Sequence, residues 1–129
     1  MMSLRSPLGR VLGSGSAKDG TSHWWLQRVT AVALLLLLPW FLWSLTTMPG
    51  FGHAQVTGWI AAPWNSVLLL LLCGTLAWHS SLGVQVVIED YVHAPLLKVF
   101  ALLVNRFAHV FIAIAAAFAI LRIALGSAQ

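Results

Sequence analysis

His79-Ser-Ser-Leu-Gly-Val-Gln-Val-Val-Ile-Glu-Asp-Tyr-Val-His93 forms the polar end of an apolar stretch, residues 63–87, that carries no charged side chain. A stretch of that length and composition is a candidate for crossing a bilayer as a helix. It would place the imidazole of His79 at lipid depth and a carboxylate and a phenol at the membrane edge. A polar ionisable group inside a membrane helix is costly to leave unpaired, so His79 is a functional-site candidate. The adjoining Glu89-Asp90-Tyr91 triplet holds two of the three acidic residues in the chain, the third being Asp19.

The rest of the composition agrees with a membrane chain. Of 129 residues, 60% are hydrophobic and 8% charged, and the mean hydropathy is +0.89. A water-soluble domain could not cover itself with so little polar surface. Seven Lys/Arg against three Asp/Glu give a formal charge of +4. The bases (Arg5, Arg10, Lys18, Arg28, Lys98, Arg106, Arg122) neither cluster nor interleave with aromatics, so they read as topology signals and contacts to lipid headgroups, with no nucleic-acid partner. The single cysteine, Cys73, lies in a leucine-rich run without a partner for a disulfide or a thiolate metal site, and reads as a small core residue.

Working outward, the expected fold class is all-α and integral to the membrane, with three transmembrane helices. Residues 1–22 are rich in glycine, serine and bases and are expected to form a flexible polar tail ahead of a membrane domain over 23–125. The first span is placed at about 26–48, with Trp24 and Trp25 at one interface, Trp40 and Trp43 near the other, and Pro39 as a tolerated helix breaker. It is long enough to span and does not resemble a cleaved signal. The segment Gly50 to Ala62 is expected to be a short connection without charge. A second span follows at 63–87, then a turn over Glu89 to Pro95, then a third span at 96–125. At about 45 Å the third exceeds a hydrocarbon core of about 30 Å and must tilt or project.

Four bases precede the first span and none lies between the first and second, which places the N-terminus inside. The Glu89-Asp90-Tyr91 end is then also inside and the C-terminus outside. In a bacterial cytoplasmic membrane this means a cytoplasmic N-terminus and a periplasmic C-terminus. The absence of an Arg-rich amphipathic leader favours that compartment over a mitochondrial inner membrane. Three helices without an internal repeat make no evident pore, so a partner subunit is expected.

Three groups carry the chemistry. His79 is flanked by Gly74, Thr75, Ser80, Ser81 and Gly83, small or polar residues that let another helix or a flat macrocycle approach closely. A neutral imidazole there can bind haem iron through one nitrogen and a hydrogen-bond acceptor through the other. A structural histidine bonded to a neighbouring helix fits the same position. Asp90 and Tyr91 sit where a quinone headgroup would arrive from the membrane, and a phenol can donate to its carbonyl while a carboxylate relays protons. A solvated acidic loop is the alternative. Arg28 can snorkel to lipid phosphate or pair with a haem propionate. On the third span His109 lies at a depth comparable to His79, about 10 Å, so a haem held within the chain by His79 and His109 remains open. His23, His53 and His93 show no chelating spacing.

The run from His79 to Val92 resembles the signature of the hydrophobic membrane-anchor subunits of succinate dehydrogenase, respiratory complex II. In that family the histidine of the second span is followed by a Gly-x-Gln element, here Gly83-Val84-Gln85, and by Asp-Tyr at the spacing of Asp90-Tyr91. His23-Trp24-Trp25-Leu26-Gln27-Arg28-Val29-Thr30-Ala31 and Leu8-Gly9-Arg10 are also similar to the family's elements.

The resemblance implies a three-helix half of a haem-binding bundle completed by a second membrane protein, the cytochrome b-type partner of the complex. It implies that His79 is an axial ligand of haem b, with the second ligand a histidine of that partner, which argues against the His79/His109 pair. It implies that Tyr91 hydrogen-bonds ubiquinone with Asp90 in support, and that Arg28 and His23 lie near the haem propionates. The further partners would be the flavoprotein and iron-sulfur subunits, placing the chain in the tricarboxylic acid cycle and aerobic electron transport. The chain itself has no flavin motif and no cysteine cluster, so turnover would need those subunits. The rival readings are an anchor of fumarate reductase or another b-type cytochrome, and a small transporter or assembly scaffold. The lack of an acidic residue at mid-membrane disfavours the transporter.

Overall fold

A computed structural model describes the backbone of residues 17–126 and the side chains of 21–126. Residues 1–16 of the expected tail lie outside the described residues. Four helices follow in order: α1 Ala17–Thr47, α2 His53–Ala61, α3 Pro63–Tyr91 and α4 Pro95–Gly126. No strand occurs among the described residues. Three segments are long and apolar enough to cross a membrane, namely Thr21–Thr47, Pro63–Tyr91 and Pro95–Gly126. The chain is thus an all-helical membrane protein with three candidate spans.

Three boundaries differ from the sequence expectation. Helix α1 begins at Ala17, so residues 17–22 are helical where a flexible tail was expected.

The connection between the first two spans contains helix α2. Nine residues are too few for a stable isolated helix. Here Asn65 Nδ2 donates to the Trp59 carbonyl at 2.8 Å and Ser66 Oγ to the Ile60 carbonyl at 2.5 Å, so the first turn of α3 satisfies the last carbonyls of α2. Trp59 also stacks on Trp40 of α1, with ring centroids 5.9 Å apart. Ala62, between the helices, takes the extended conformation that a following proline favours, and Pro63 opens α3 at a position that needs no N–H donor.

Helix α3 runs through Glu89, Asp90 and Tyr91, where a turn was expected. Its final carbonyls are covered from beyond the helix: Lys98 Nζ donates to the Glu89 carbonyl at 2.9 Å and His93 Nδ1 to the Tyr91 carbonyl at 3.1 Å. A lysine at this position also complements the negative end of the helix dipole. His79 therefore lies about 18 Å from the end of its helix, against the roughly 12 Å that a span ending at Val87 would give.

The long helices stand in a row with α3 in the middle. It packs against α1 on one side and α4 on the other, and the backbones of α1 and α4 do not approach each other. The buried apolar side chains are few: Leu34, Leu69, Leu72, Leu82 and Ile120. Large apolar residues such as Leu35 (71% exposed) and Phe111 (73%) face outward. Water would not tolerate this surface, whereas lipid tails and partner helices would.

Polar side chains mark both seams of the row. Asn105, only 8% exposed, donates from Nδ2 to the Ser81 carbonyl at 3.0 Å across the α3–α4 seam. Thr30 and His79 meet across the α1–α3 seam. In a medium that rewards no apolar contact over lipid, such bonds fix which faces meet. A Cβ added at Gly74 or Gly83 would meet nothing within 4 Å, so the small-residue faces near His79 are open toward whatever lies outside the chain.

Candidate functional site

His79 is half-buried, with Nδ1 2.9 Å from the Thr30 hydroxyl oxygen. That hydroxyl has one proton to give, and two carbonyls of its own helix stand ready to accept it, Leu26 at 2.8 Å and Gln27 at 3.1 Å. Neither carbonyl can donate. Thr30 therefore spends its proton on α1 and accepts from His79, which puts the imidazole proton on Nδ1. The lone pair of Nε2 is left without a partner among the described residues. A histidine that binds a metal through one nitrogen while the other donates to a fixed acceptor has this arrangement.

His109 is held differently. Its Nδ1 lies 2.8 Å from the Asn105 carbonyl and must donate to it, and its Nε2 then accepts from the Ser80 hydroxyl at 3.1 Å. Both ring nitrogens are engaged in the α3–α4 seam. Ser80 is about 100° around α3 from His79, so the two histidines also address different sides of the helix. The geometry therefore sets aside a haem held within the chain by His79 and His109.

His23 lies on the same stripe of α1 as Thr30, seven residues earlier and about 10 Å along the axis. Its Nε2 is buried without a partner among the described residues. It borders a polar cleft of about 460 Å3 shared with Gln85 and Glu89 of α3 and Arg106 of α4. Arg28 points elsewhere: at about 160° from Thr30 around the helix, it faces away from the His79 contact. Its guanidinium carbon stands 5.4 Å from the centre of the Trp24 ring, a cation–π contact on the exposed side of α1. His23 and Arg28 thus do not converge within this chain.

At the end of α3 the three polar residues behave differently. Glu89 is engaged, its Oε1 accepting from Gln85 Nε2 at 2.8 Å one turn earlier. No hydrogen bond or ion pair is described for the side chains of Asp90 and Tyr91, and Tyr91 is 78% exposed. Asp90 is nearly in line with His79 along the helix, about 20° off and about 16 Å away, while Tyr91 is about 120° around. The two free groups can therefore meet a molecule arriving at this end of the bundle, while the backbone beneath them is tied down by Lys98 and His93.

Sequence reasoning missed Thr30, Ser80 and Asn105, the residues that set the histidine tautomers. The available signal was that polar residues within apolar helices need partners, but the partner of Thr30 lies 49 positions away.

Residues 2–121 match the family of succinate dehydrogenase/fumarate reductase transmembrane subunits. The chain is 37% identical over 95 residues to the succinate dehydrogenase hydrophobic membrane anchor subunit of Rickettsia bellii, covering 73% of this chain and 75% of the relative. It is 30% identical over 122 residues to the protein of the same name from Paracoccus denitrificans, covering 95% and 94%. A succinate dehydrogenase membrane anchor subunit of Reclinomonas americana is 29% identical over 103 residues, covering 69% and 77%. With the three apolar spans and a family match along nearly the whole length, the chain belongs to the hydrophobic membrane-anchor subunits of succinate dehydrogenase.

Proposed function

We propose that this anchor holds the flavoprotein and iron-sulfur subunits at a bacterial cytoplasmic membrane, shares a haem b with the cytochrome b-type partner, and forms part of the site where ubiquinone is reduced. The relatives' names favour succinate oxidation over the reverse, fumarate-reducing direction.

The observation that carries the haem reading is the Nε2 lone pair left open on His79 by the Thr30 hydrogen bond. The residues fit the group: a neutral imidazole with a fixed tautomer for iron, and in His23 a buried nitrogen without a partner for a propionate. Arg28, on the exposed side of α1, would reach a propionate only on a haem bound outside this chain, as a shared one would be. When bound, the haem would supply a one-electron carrier within the membrane. Thr30 holds the ring plane and tautomer of its ligand.

At the quinone, Tyr91 donates its hydroxyl hydrogen to a carbonyl oxygen, a bond that strengthens as that oxygen gains electron density. Asp90 supports the site as the nearby unpaired carboxylate and hands on protons from the cytoplasmic side. Two electrons from the iron-sulfur subunit and two protons complete the quinol.

The test is the visible spectrum of the purified complex. His79→Ala removes an axial bond and should abolish or alter the low-spin, six-coordinate b-type spectrum. An unchanged spectrum refutes the assignment.

A further inference from the structure

We infer that the cleft between α2 and α4, at the end of the bundle opposite Asp90, binds an anionic phospholipid, with Arg122 on its phosphate and an acyl chain along Phe118 and Ile123. The cleft is about 730 Å3 and open to the surface. Its α2 wall is made of Ala54, Thr57, Gly58 and Ala61, spaced to lie on one stripe of that helix, and small side chains there leave the volume free. Its α4 wall carries Phe118 and, about one turn on, Arg122 and Ile123, and Phe118 is 66% exposed.

Charge selects the occupant. Arg122 stands about 40 Å along α4 from Pro95. The acids Glu89 and Asp90 lie at the far end of α3, and Asp19 lies in the first turn of α1, at that same far end. No carboxylate among the described residues can reach this guanidinium, and no hydrogen bond to it is described. A cation at the edge of the hydrocarbon attracts an anion, and the one that the surroundings offer in abundance is lipid phosphate. A guanidinium suits it, because two N–H groups can bind two phosphate oxygens together.

His53 borders the cleft beside Arg122 and can add an N–H donor. Thr57 cannot, since its hydroxyl proton already goes to the His53 carbonyl at 2.7 Å. The combination of one cation, one N–H donor and an apolar wall running along the helix matches an amphiphile with a single anionic head. A partner helix packed on this wall would satisfy its own backbone but would have to bring a carboxylate to the guanidinium, and the Arg122→Gln complex separates that case.

The intact dehydrogenase complex, washed in detergent and then equilibrated with mixed micelles of phosphatidylglycerol and phosphatidylcholine, tests this by native mass spectrometry. The wild-type complex should retain phosphatidylglycerol in preference to phosphatidylcholine. Loss of a charge-assisted bond in Arg122→Gln should lower its occupancy about tenfold or more, and Arg122→Lys, which keeps the charge but not the paired donors, should restore part of it. Gly58→Leu should lower it too with the cation intact, because a side chain there meets nothing within 4 Å and projects into the cleft. Equal occupancy in wild type and Arg122→Gln overturns the proposal. So does retention in Gly58→Leu, or a loss of partner subunits in Arg122→Gln with lipid unchanged, which would assign the guanidinium to a protein carboxylate.

Discussion

The Thr30 hydroxyl accepts the Nδ1 proton of His79 at 2.9 Å while giving its own proton to the Leu26 carbonyl at 2.8 Å. One threonine thereby joins α1 to α3, fixes the tautomer of the histidine, and directs the free nitrogen away from the seam.

Replacing Thr30 with Val keeps the shape and removes the acceptor. Outer-sphere hydrogen bonds of this kind are worth about 10- to 100-fold in metal affinity, so Thr30→Val should lose haem on dilution or dialysis far more readily than wild type. The electron paramagnetic resonance signals of the remaining low-spin haem should shift as the ring turns. Thr30→Ser, which keeps the hydroxyl, should behave as wild type. Equal haem retention in Val and wild type would show that the bond does not position His79.

His109→Ala should leave the haem spectrum intact, because both nitrogens of that ring serve the α3–α4 seam. It should instead lower the stability of the assembled complex by about 1 kcal/mol, the usual size of a hydrogen bond between membrane helices. Thermal unfolding of the complex measures the second effect. A lost spectrum with unchanged stability would move the ligand to α4.

Tyr91→Phe keeps the ring and deletes one donor. Loss of a hydrogen bond that strengthens in the transition state should cost about 1 to 3 kcal/mol, roughly a 5- to 150-fold fall in quinone turnover. Succinate oxidation measured with an artificial acceptor that bypasses the quinone should stay near normal, as should haem content. A parallel fall in both activities would make Tyr91 structural, and no fall in either would make its phenol a bystander.

Reporter fusions test the topology. The bases ahead of the first span and their absence from the first loop put a fusion after Asp90 in the cytoplasm and one after Gly126 in the periplasm. Both reporters on one side would mean that α4 does not cross.

The candidate site was partly legible for a physical reason. His79, Asp90 and Tyr91 stand out in the sequence because hydrocarbon is a poor solvent for polar groups, so each polar residue in or beside an apolar run calls for an explanation. Helix α2 was not legible, since its stability comes from Trp40, Asn65 and Ser66 outside it and not from its own nine residues. The extension of α3 through Tyr91 was hidden likewise, because the carbonyls it exposes are satisfied by Lys98 and His93 from the next segment.

By itself the sequence determined three candidate spans and the end of the bundle where polar residues gather. Backbone groups in lipid must bond within their own helix, so length and polarity along the chain suffice to find the spans. Only the tertiary structure decided which of His79 and His109 keeps a nitrogen open. That outcome depends on Thr30 meeting His79 and on Ser80 meeting His109, pairs separated by 49 and 29 positions. Bonds across such separations are set by which helix faces pack together, a choice that an apolar pattern shared by all sides of these helices leaves undetermined.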